Sequence, residues 1–539
     1  MKRGTVLLCL ASLLVEGLFG NPVLIREGDT LYIELRRLAI LAQAPPPPTV
    51  SPLAQSELLQ VLKRIDPSRL PETERESYRT LLSELSNERF GSDTVPVGAV
   101  VGVEAYLHTN NEADEWRYTY PDRLSLLEVP IRIAPLDNVA FLMDLAIRKN
   151  YPMYPSFETF VPDPVSNFPT DAREIEVQFP HLAVVSAAGP RWSGQFGRGR
   201  VGFGLGETGS LLLGNHVEWY DYLLVQVFGD IAAYRALYVD LEAWESASVP
   251  VLDRMFFAHR IEFTPTPWLS LAATDGFIYE GLNIEMRYFN PLMILHSFFV
   301  PSYGNVILNF EFSVRPLPGF ELWAHMNIDQ LQSAYEKERG YGLTEPRALG
   351  WLAGAEYITP IDSSWLTVGT EWVYLDPWMY IGRTLLQSFT YRRRVQAENA
   401  LPQGRKIIVE KSLGYPAGPD HYSATLYGEL ELASDIAFAL DLTYGAQGEN
   451  KLGQTIEGLT EEQAQIRTPS GANPEYFIQG RLSVDAKLTE FAIGELPVEV
   501  RAGANVDAIQ IWNNDHVAGA SYFDLQFSPF VSAALRERR

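Results

Sequence analysis

The chain has 539 residues and a formal net charge of −24, with no basic domain to meet phosphates, which argues against nucleic acid as a partner. Its one cysteine, Cys9, lies within the first twenty residues, so a mature chain has neither a disulfide framework nor thiolate metal sites. No apolar run reaches about 18 residues, which argues against a helical span, and the 46% hydrophobic content is what alternating lipid-facing and lumen-facing positions average to.

Residues 1–20 read as a signal peptide. Lys2 and Arg3 form the basic start, residues 6–14 the apolar stretch, and Gly17 and Gly20 the small-residue cleavage region. Residues 21–95 read as a small helical element. Leu31, Ile33, Leu35, Leu38 and Leu41 suggest one helix, residues 44–50 a proline-rich linker, and residues 55–65 and 72–85 two amphipathic helices. This element precedes the first strand, and its expected place is the periplasm.

Residues 96–539 carry a period of two. Val306, Leu308, Phe310, Phe312 and Val314 share one face, and Ile307, Asn309, Glu311, Ser313 and Arg315 the other. After Pro316-Leu317-Pro318-Gly319 the alternation resumes, with Phe320, Leu322, Ala324, Met326 and Ile328 against Glu321, Trp323, His325, Asn327 and Asp329. That is a hairpin of strands near ten residues long, suited to crossing a bilayer at a tilt. In lipid such a sheet must close, because open edges would leave backbone groups without partners.

About eight short turns alternate with long segments from residue 98 onward. They fall near residues 134–137, 188–190, 229–230, 264–267, 316–319, 359–363, 433–435 and 493–497. Short periplasmic turns and long external loops predict an all-β transmembrane fold: a closed antiparallel barrel of about 18 strands, the first over residues 98–107 and the last over 518–531. Two long segments stand out. Residues 276–303 contain Asn290-Pro291-Leu292-Met293-Ile294-Leu295, too apolar for a solvated loop, and are expected to fold inward or to form a short helix that plugs the mouth. Residues 375–420 carry Tyr391-Arg392-Arg393-Arg394 and Gly414-Tyr415-Pro416-Ala417-Gly418-Pro419.

At these residues the chain resembles the capsule-assembly (Wzi-like) outer-membrane β-barrel family. The resemblance runs through Arg191-Trp192-Ser193-Gly194-Gln195-Phe196-Gly197-Arg198, Gly204-Leu205-Gly206-Glu207-Thr208-Gly209-Ser210, His259-Arg260-Ile261-Glu262-Phe263, Arg287-Tyr288-Phe289-Asn290-Pro291, Arg315-Pro316-Leu317-Pro318-Gly319-Phe320-Glu321 and Leu413-Gly414-Tyr415-Pro416. These motifs cover most of residues 30–440. Residues 203–206 depart from the family, reading Phe-Gly-Leu-Gly where Trp-Gly-Pro-Gly is usual. The resemblance implies an 18-stranded barrel with a periplasmic helical element and a lectin-like role, holding exported polysaccharide at the surface.

Several motifs have bland readings. Gly204-Leu205-Gly206-Glu207-Thr208-Gly209 matches a dinucleotide fingerprint by letter, but without a βαβ unit it reads as a glycine-rich bend. His259 shares parity with Phe257, Ile261 and Phe263 and is expected to face lipid, where an ionisable group flags function. No His-Glu-x-x-His or Gly-x-Ser-x-Gly occurs. Arg198, Arg200, Arg260, Glu262, Glu311, Arg315, His325 and Asp329 take the wet parity, either as ion pairs stiffening the barrel or as a constriction gripping an anionic polymer. Arg287, Trp323, Trp378, Arg392, Arg393 and Arg394 complete the candidate lumen or glycan contacts. Trp219, Tyr220, Trp378 and Tyr380 are candidates for stacking on sugars or for interfacial girdles.

The expected function is a non-enzymatic barrel in the bacterial outer membrane that binds or organises surface polysaccharide. Diffusion channel and lipid hydrolase are the alternatives. The partners implied are outer-membrane lipid and surface polysaccharide, with a monomeric barrel and no cofactor.

Overall fold

The structure, a computed structural model, describes residues 21–86, 98–110, 123–149, 165–169, 175–176, 180–242, 244–246, 249–282, 285–290, 293, 304–332, 335, 338–339, 345–396, 406–494 and 496–535. The signal-peptide region, residues 291–292 and 294–299 of the expected plug, and the side chains of Arg393 and Arg394 lie outside this description.

Among the described residues, 18 strands close into one antiparallel barrel. The first five are β1 (Ala99–Glu104, continued by Leu107–His108), β2 (Leu127–Leu136), β3 (Val139–Ile147), β4 (Ala183–Gly189) and β5 (Trp192–Gly199). Next come β6 (Tyr220–Phe228), β7 (Ala232–Asp240), β8 (Val249–Thr266), β9 (Leu269–Gly281), β10 (Gly304–Leu317) and β11 (Phe320–Gln330). The last are β12 (Ala348–Ile361), β13 (Ser364–Leu375), β14 (His421–Leu432), β15 (Ile436–Gln447), β16 (Glu475–Ile493), β17 (Leu496–Trp512) and β18 (Ser521–Leu535). β18 pairs with β1 and closes the ring, with Val531 opposite Val103. All eight expected short turns join consecutive strands at one end of the barrel.

The hairpin parity holds residue by residue. Phe310 faces Met326 and Glu311 faces His325 across the β10–β11 ladder. Phe310, Phe312 and Leu322 are exposed on the outer face, whereas Glu311, Arg315, Glu321, His325 and Asn327 are buried inside. The same inversion runs round the barrel: Phe196, Ile261, Trp372, Leu426, Leu440 and Phe523 point outward, and Arg235, Arg254, Arg260 and Arg315 rank among the largest fully buried side chains. Apolar outside and charged inside is the reverse of a water-soluble sandwich and the arrangement a bilayer demands. Exposed Trp268 and Tyr357 lie toward the short turns, and exposed Trp351, Trp372, Tyr444 and Trp512 toward the opposite rim, as interfacial girdles should. No helix among the described residues is long and apolar enough to cross a membrane.

Three helices, α1 (Thr30–Leu41), α2 (Gln55–Lys63) and α3 (Glu72–Leu85), form close to where the periodicity places them. α3 starts behind Pro71 with Glu72 and Glu74 in its first turn, the sequence features that favour a helix N-terminus. The helices pack at the short-turn end of the barrel. Ile40 O accepts from Gly319 N, and Arg64 donates to Gly229 O, both acceptor and donor partners lying in short turns. Leu35, Leu38, Leu53 and Leu58 share one dry core with Phe203, Leu211, Leu212, Ile307 and Leu352 from the barrel interior.

The segments expected to be external loops divide differently from the sequence reading. The chain between β5 and β6 turns into the lumen: residues Gly202–Leu205 pair with Ser210–Leu213 and with Val50–Ser51. Gly204 has φ +70°, and a Cβ there would lie 2.8 Å from Glu311 Oε1, so the glycine-rich bend is required both by conformation and by space. The expected plug, by contrast, does not fold inward in its described part. The turn Met286–Phe289 lies over the outer wall, with Tyr288 centred 5.1 Å from Phe277 and Phe289 4.9 Å from Tyr238. Its apolar residues cover an aromatic patch of β7, β8 and β9 instead of the lumen.

Candidate functional site

The inward residues of neighbouring strands meet as a lattice of ion pairs. Arg260 donates to Glu262 Oε1 at 2.7 Å, to Glu311 Oε2 at 2.9 Å and to Thr49 Oγ1 at 2.8 Å. Arg315 donates to Glu321 Oε1 and Ser270 Oγ at 2.9 and 2.8 Å. His325 is buried within 4.0 Å of Glu311. Arg198 departs from the wet parity expected of it: it shares the outward face with Phe196, where it holds both oxygens of Asp221 at 2.8 Å and stacks over the Trp219 ring at 3.6 Å. Arg200, just after β5, is half-buried. Arg198, Arg260 and Arg315 thus serve as wall fastenings, each already facing a carboxylate.

The remaining candidates are placed elsewhere. Trp323 is buried and donates its Nε1–H to Glu371 Oε2 at 2.9 Å. Trp378 donates to Gln463 O at 3.0 Å, and Tyr380 OH donates to Leu211 O at 2.7 Å. Trp219, Tyr220, Trp378 and Tyr380 are all buried, so they serve neither as girdle nor as exposed sugar platforms; their segments fold into the mouth and bury them against other loops. Arg392 pairs with Glu410 at 2.9 Å across the hairpin of Thr390–Gln396 and Lys406–Ser412. Arg287 belongs to the covering turn outside the barrel, paired with Glu285 at 2.5 Å, and does not reach the lumen. His259 has the outward parity but does not face lipid: the covering segment buries it, with Nδ1 3.1 Å from Met293 O and 3.9 Å from Asp275. Among the described residues no serine hydrogen-bonds to His259.

Four residues outside the candidate set organise the interior. Arg235, fully buried, bridges Glu57 of α2 at 2.6 Å and Glu262 of β8 at 2.8 Å. Arg254 gathers the carbonyls of Leu386, Ser388 and Thr390 and holds the loop between β13 and β14 in the mouth. Glu371 accepts from the backbone of Glu207 and Thr208 at 3.0 and 2.8 Å, fixing the glycine-rich bend. Arg36 of α1 meets Glu356 at 2.6 Å, Glu321 at 3.3 Å and Glu207 at 3.4 Å. Burial works against its charge, but these carboxylates outweigh it and hold the guanidinium protonated. Inward parity in β7, β8 and β13 marks three of the four; adjacent arginines in an otherwise apolar helix mark the fourth.

The lumen is therefore filled on one side and hollow on the other. Beside β14, β15 and β16 lies a vestibule of about 1450 Å³. It extends from His421 and Asn514 toward the long loops to Glu429 and Arg37 near the short turns. Ser423, Thr425, Thr443 and Gln479 line its wall, and Tyr415, His421 and Phe477 form an aromatic row, the last two stacked at 5.8 Å and 18°. Burial pushes the Glu27 carboxyl up to about 7, with Arg36 opposing and Glu371 adding to the shift. Glu207, at the edge of the vestibule, is likewise raised by burial and by Glu356.

No family model and no curated protein matches the chain. Among solved structures it is similar to Wzi of Escherichia coli, described as an outer membrane protein involved in group 1 capsule assembly and a carbohydrate-binding β-barrel. The identity is 15%, covering 94% of this chain and 98% of that chain, at a TM-score of 0.57. OprD of Pseudomonas aeruginosa aligns over 83% of this chain and 96% of its own at 11% identity and a TM-score of 0.39. The likeness to Wzi shows the fold, a closed 18-stranded barrel of the outer-membrane type, which is the fold that the sequence motifs imply.

Proposed function

We propose that this chain is a non-enzymatic outer-membrane barrel that binds surface polysaccharide in the vestibule, with its short turns and helices on the periplasmic side. The vestibule itself carries the reading: a large cavity whose wall pairs hydrogen-bonding side chains with an aromatic row. Saccharides need both, because hydroxyls require donors and acceptors and the C–H faces of the ring require apolar contact. The Wzi likeness supports it by offering the same barrel on a carbohydrate-binding protein. Purified protein in detergent should retain host envelope polysaccharide on a gel-shift or titration assay, and Phe477→Ala with Gln479→Ala should weaken retention. Absence of binding to every envelope polysaccharide of the host overturns the reading.

A second reading, a diffusion channel, draws on the length of the vestibule, which runs through much of the barrel height. The helices and the inward hairpin weigh against it, since they fill the other side and α1 supplies Arg36 and Arg37 to the base of the vestibule.

A further inference from the structure

We propose that the vestibule selects polysaccharide without carboxylates and rejects uronic-acid polymers, an inference that rests on the polysaccharide reading of this same cavity. The sequence suggests the opposite, because its arginines could clamp carboxylates in bidentate fashion. The structure removes that option. Arg260 is committed to Glu262 and Glu311, Arg315 to Glu321, and Arg235 to Glu57 and Glu262, while Arg198 lies on the outer face with Asp221.

The cavity lining repeats the pattern. It carries seven carboxylates against four cations, and even with Glu27 and Glu207 held toward the neutral form by burial the acids outnumber the cations. Of those cations, Arg36 faces Glu356, Arg37 faces Glu431 at 2.6 Å, and Arg481 faces Asp507 at 2.7 Å. Lys451, exposed in the segment after β15, is the one lining cation without a carboxylate within 4 Å among the described residues. An incoming carboxylate would have to displace a wall carboxylate from its arginine or sit beside Glu475 and Asp515 without compensation. At physiological ionic strength charges within about 8 Å of one another still repel, and the excess acid of the lining keeps such approaches unfavourable.

Neutral hydroxyls meet the reverse situation. Thr425 and Thr443 face each other across the β14–β15 ladder with oxygens 2.9 Å apart, and Thr443 faces Gln479 across the next ladder. Inward side chains recur about every 6.8 Å along each strand, so the wall offers a regular row of groups that both donate and accept. Above it, Gly445 lies opposite Phe477, and a Cβ there would come within 2.6 Å of Phe477 Cζ. The missing side chain lets the ring lie against the wall and present a face to the cavity.

The test uses the full chain in detergent, titrated with three neutral polymers (dextran, mannan and galactan) and with polygalacturonate, each at low and high salt. At least one neutral polymer should bind with an affinity that salt barely changes, and polygalacturonate should bind at least about tenfold more weakly at low salt, gaining as salt rises. Thr443→Lys, checked for folding by heat-modifiable mobility on gels, should gain polygalacturonate binding at low salt. Tighter binding of polygalacturonate than of every neutral polymer at low salt overturns the selectivity and leaves the polysaccharide reading standing. Binding of no polymer, including host envelope polysaccharide, overturns both.

Discussion

Arg235 shows what parity does and does not say about a single side chain. Its position in β7 makes it inward-facing, and that is legible from the alternation of Arg235, Leu237 and Val239 with Tyr234, Ala236 and Tyr238. Its partners are not legible, because Glu57 lies 178 positions away in the chain and reaches it only once α2 is inside the barrel. Buried pairs of this kind add little net stability over apolar neighbours but are costly to break from one side. Arg235→Met should therefore leave Glu57 buried without its cation and lower stability by about 3–5 kcal/mol, read as a lower unfolding temperature and earlier protease cleavage within residues 21–86. Adding Glu57→Leu should recover part of the loss; an unchanged single variant would mean that the helix is fastened elsewhere.

Elements were legible in proportion to how local their signal is. The eight short turns and the three helices follow from Pro/Gly punctuation and from periodicity, and the structure places them within a few residues. The long segments carry no such signal. Residues 291–295 are apolar, which requires burial but not burial in the lumen, and the described part of that segment covers the outer wall. Residues 202–213, by contrast, fold inward on Gly204 and on the backbone contacts to Glu371, and apolarity alone did not mark them.

The inward seating of these elements predicts a pH dependence. Burial raises Glu27 from an ordinary carboxylate value to about 7. A carboxyl whose folded value is raised contributes fully below its unfolded value, near 4.5, and loses that contribution as pH climbs through about 7. Protection of residues 21–86 from protease should fall across that interval, and Glu27→Gln should flatten the change. A protection profile that is flat in the parent protein would show that Glu27 is not held in this environment.

For the whole molecule, closure decides solubility and transport together. An exposed apolar band with aromatic girdles at both rims fits a bilayer, and the helices and the inward hairpin fill one side of the lumen beside the vestibule. In planar bilayers the full chain should give no stepwise conductance, and a chain lacking residues 21–86 should give discrete steps, since the inward wall left behind is charged and wettable. Steps from the full chain would favour the diffusion reading.

The sequence by itself determined the barrel: strand number, turn positions and, Arg198 apart, which of the selected side chains face outward or inward. Each of these follows from a period of two and from turn chemistry that acts over a few residues. Only the tertiary structure decided which arginines were already neutralised, which segments fill the lumen, and where a cavity remains. Those outcomes depend on partners hundreds of residues apart, brought together when the ring closes around the helices. The charge on the wall could be read along the chain, but its compensation could be read only across the lumen.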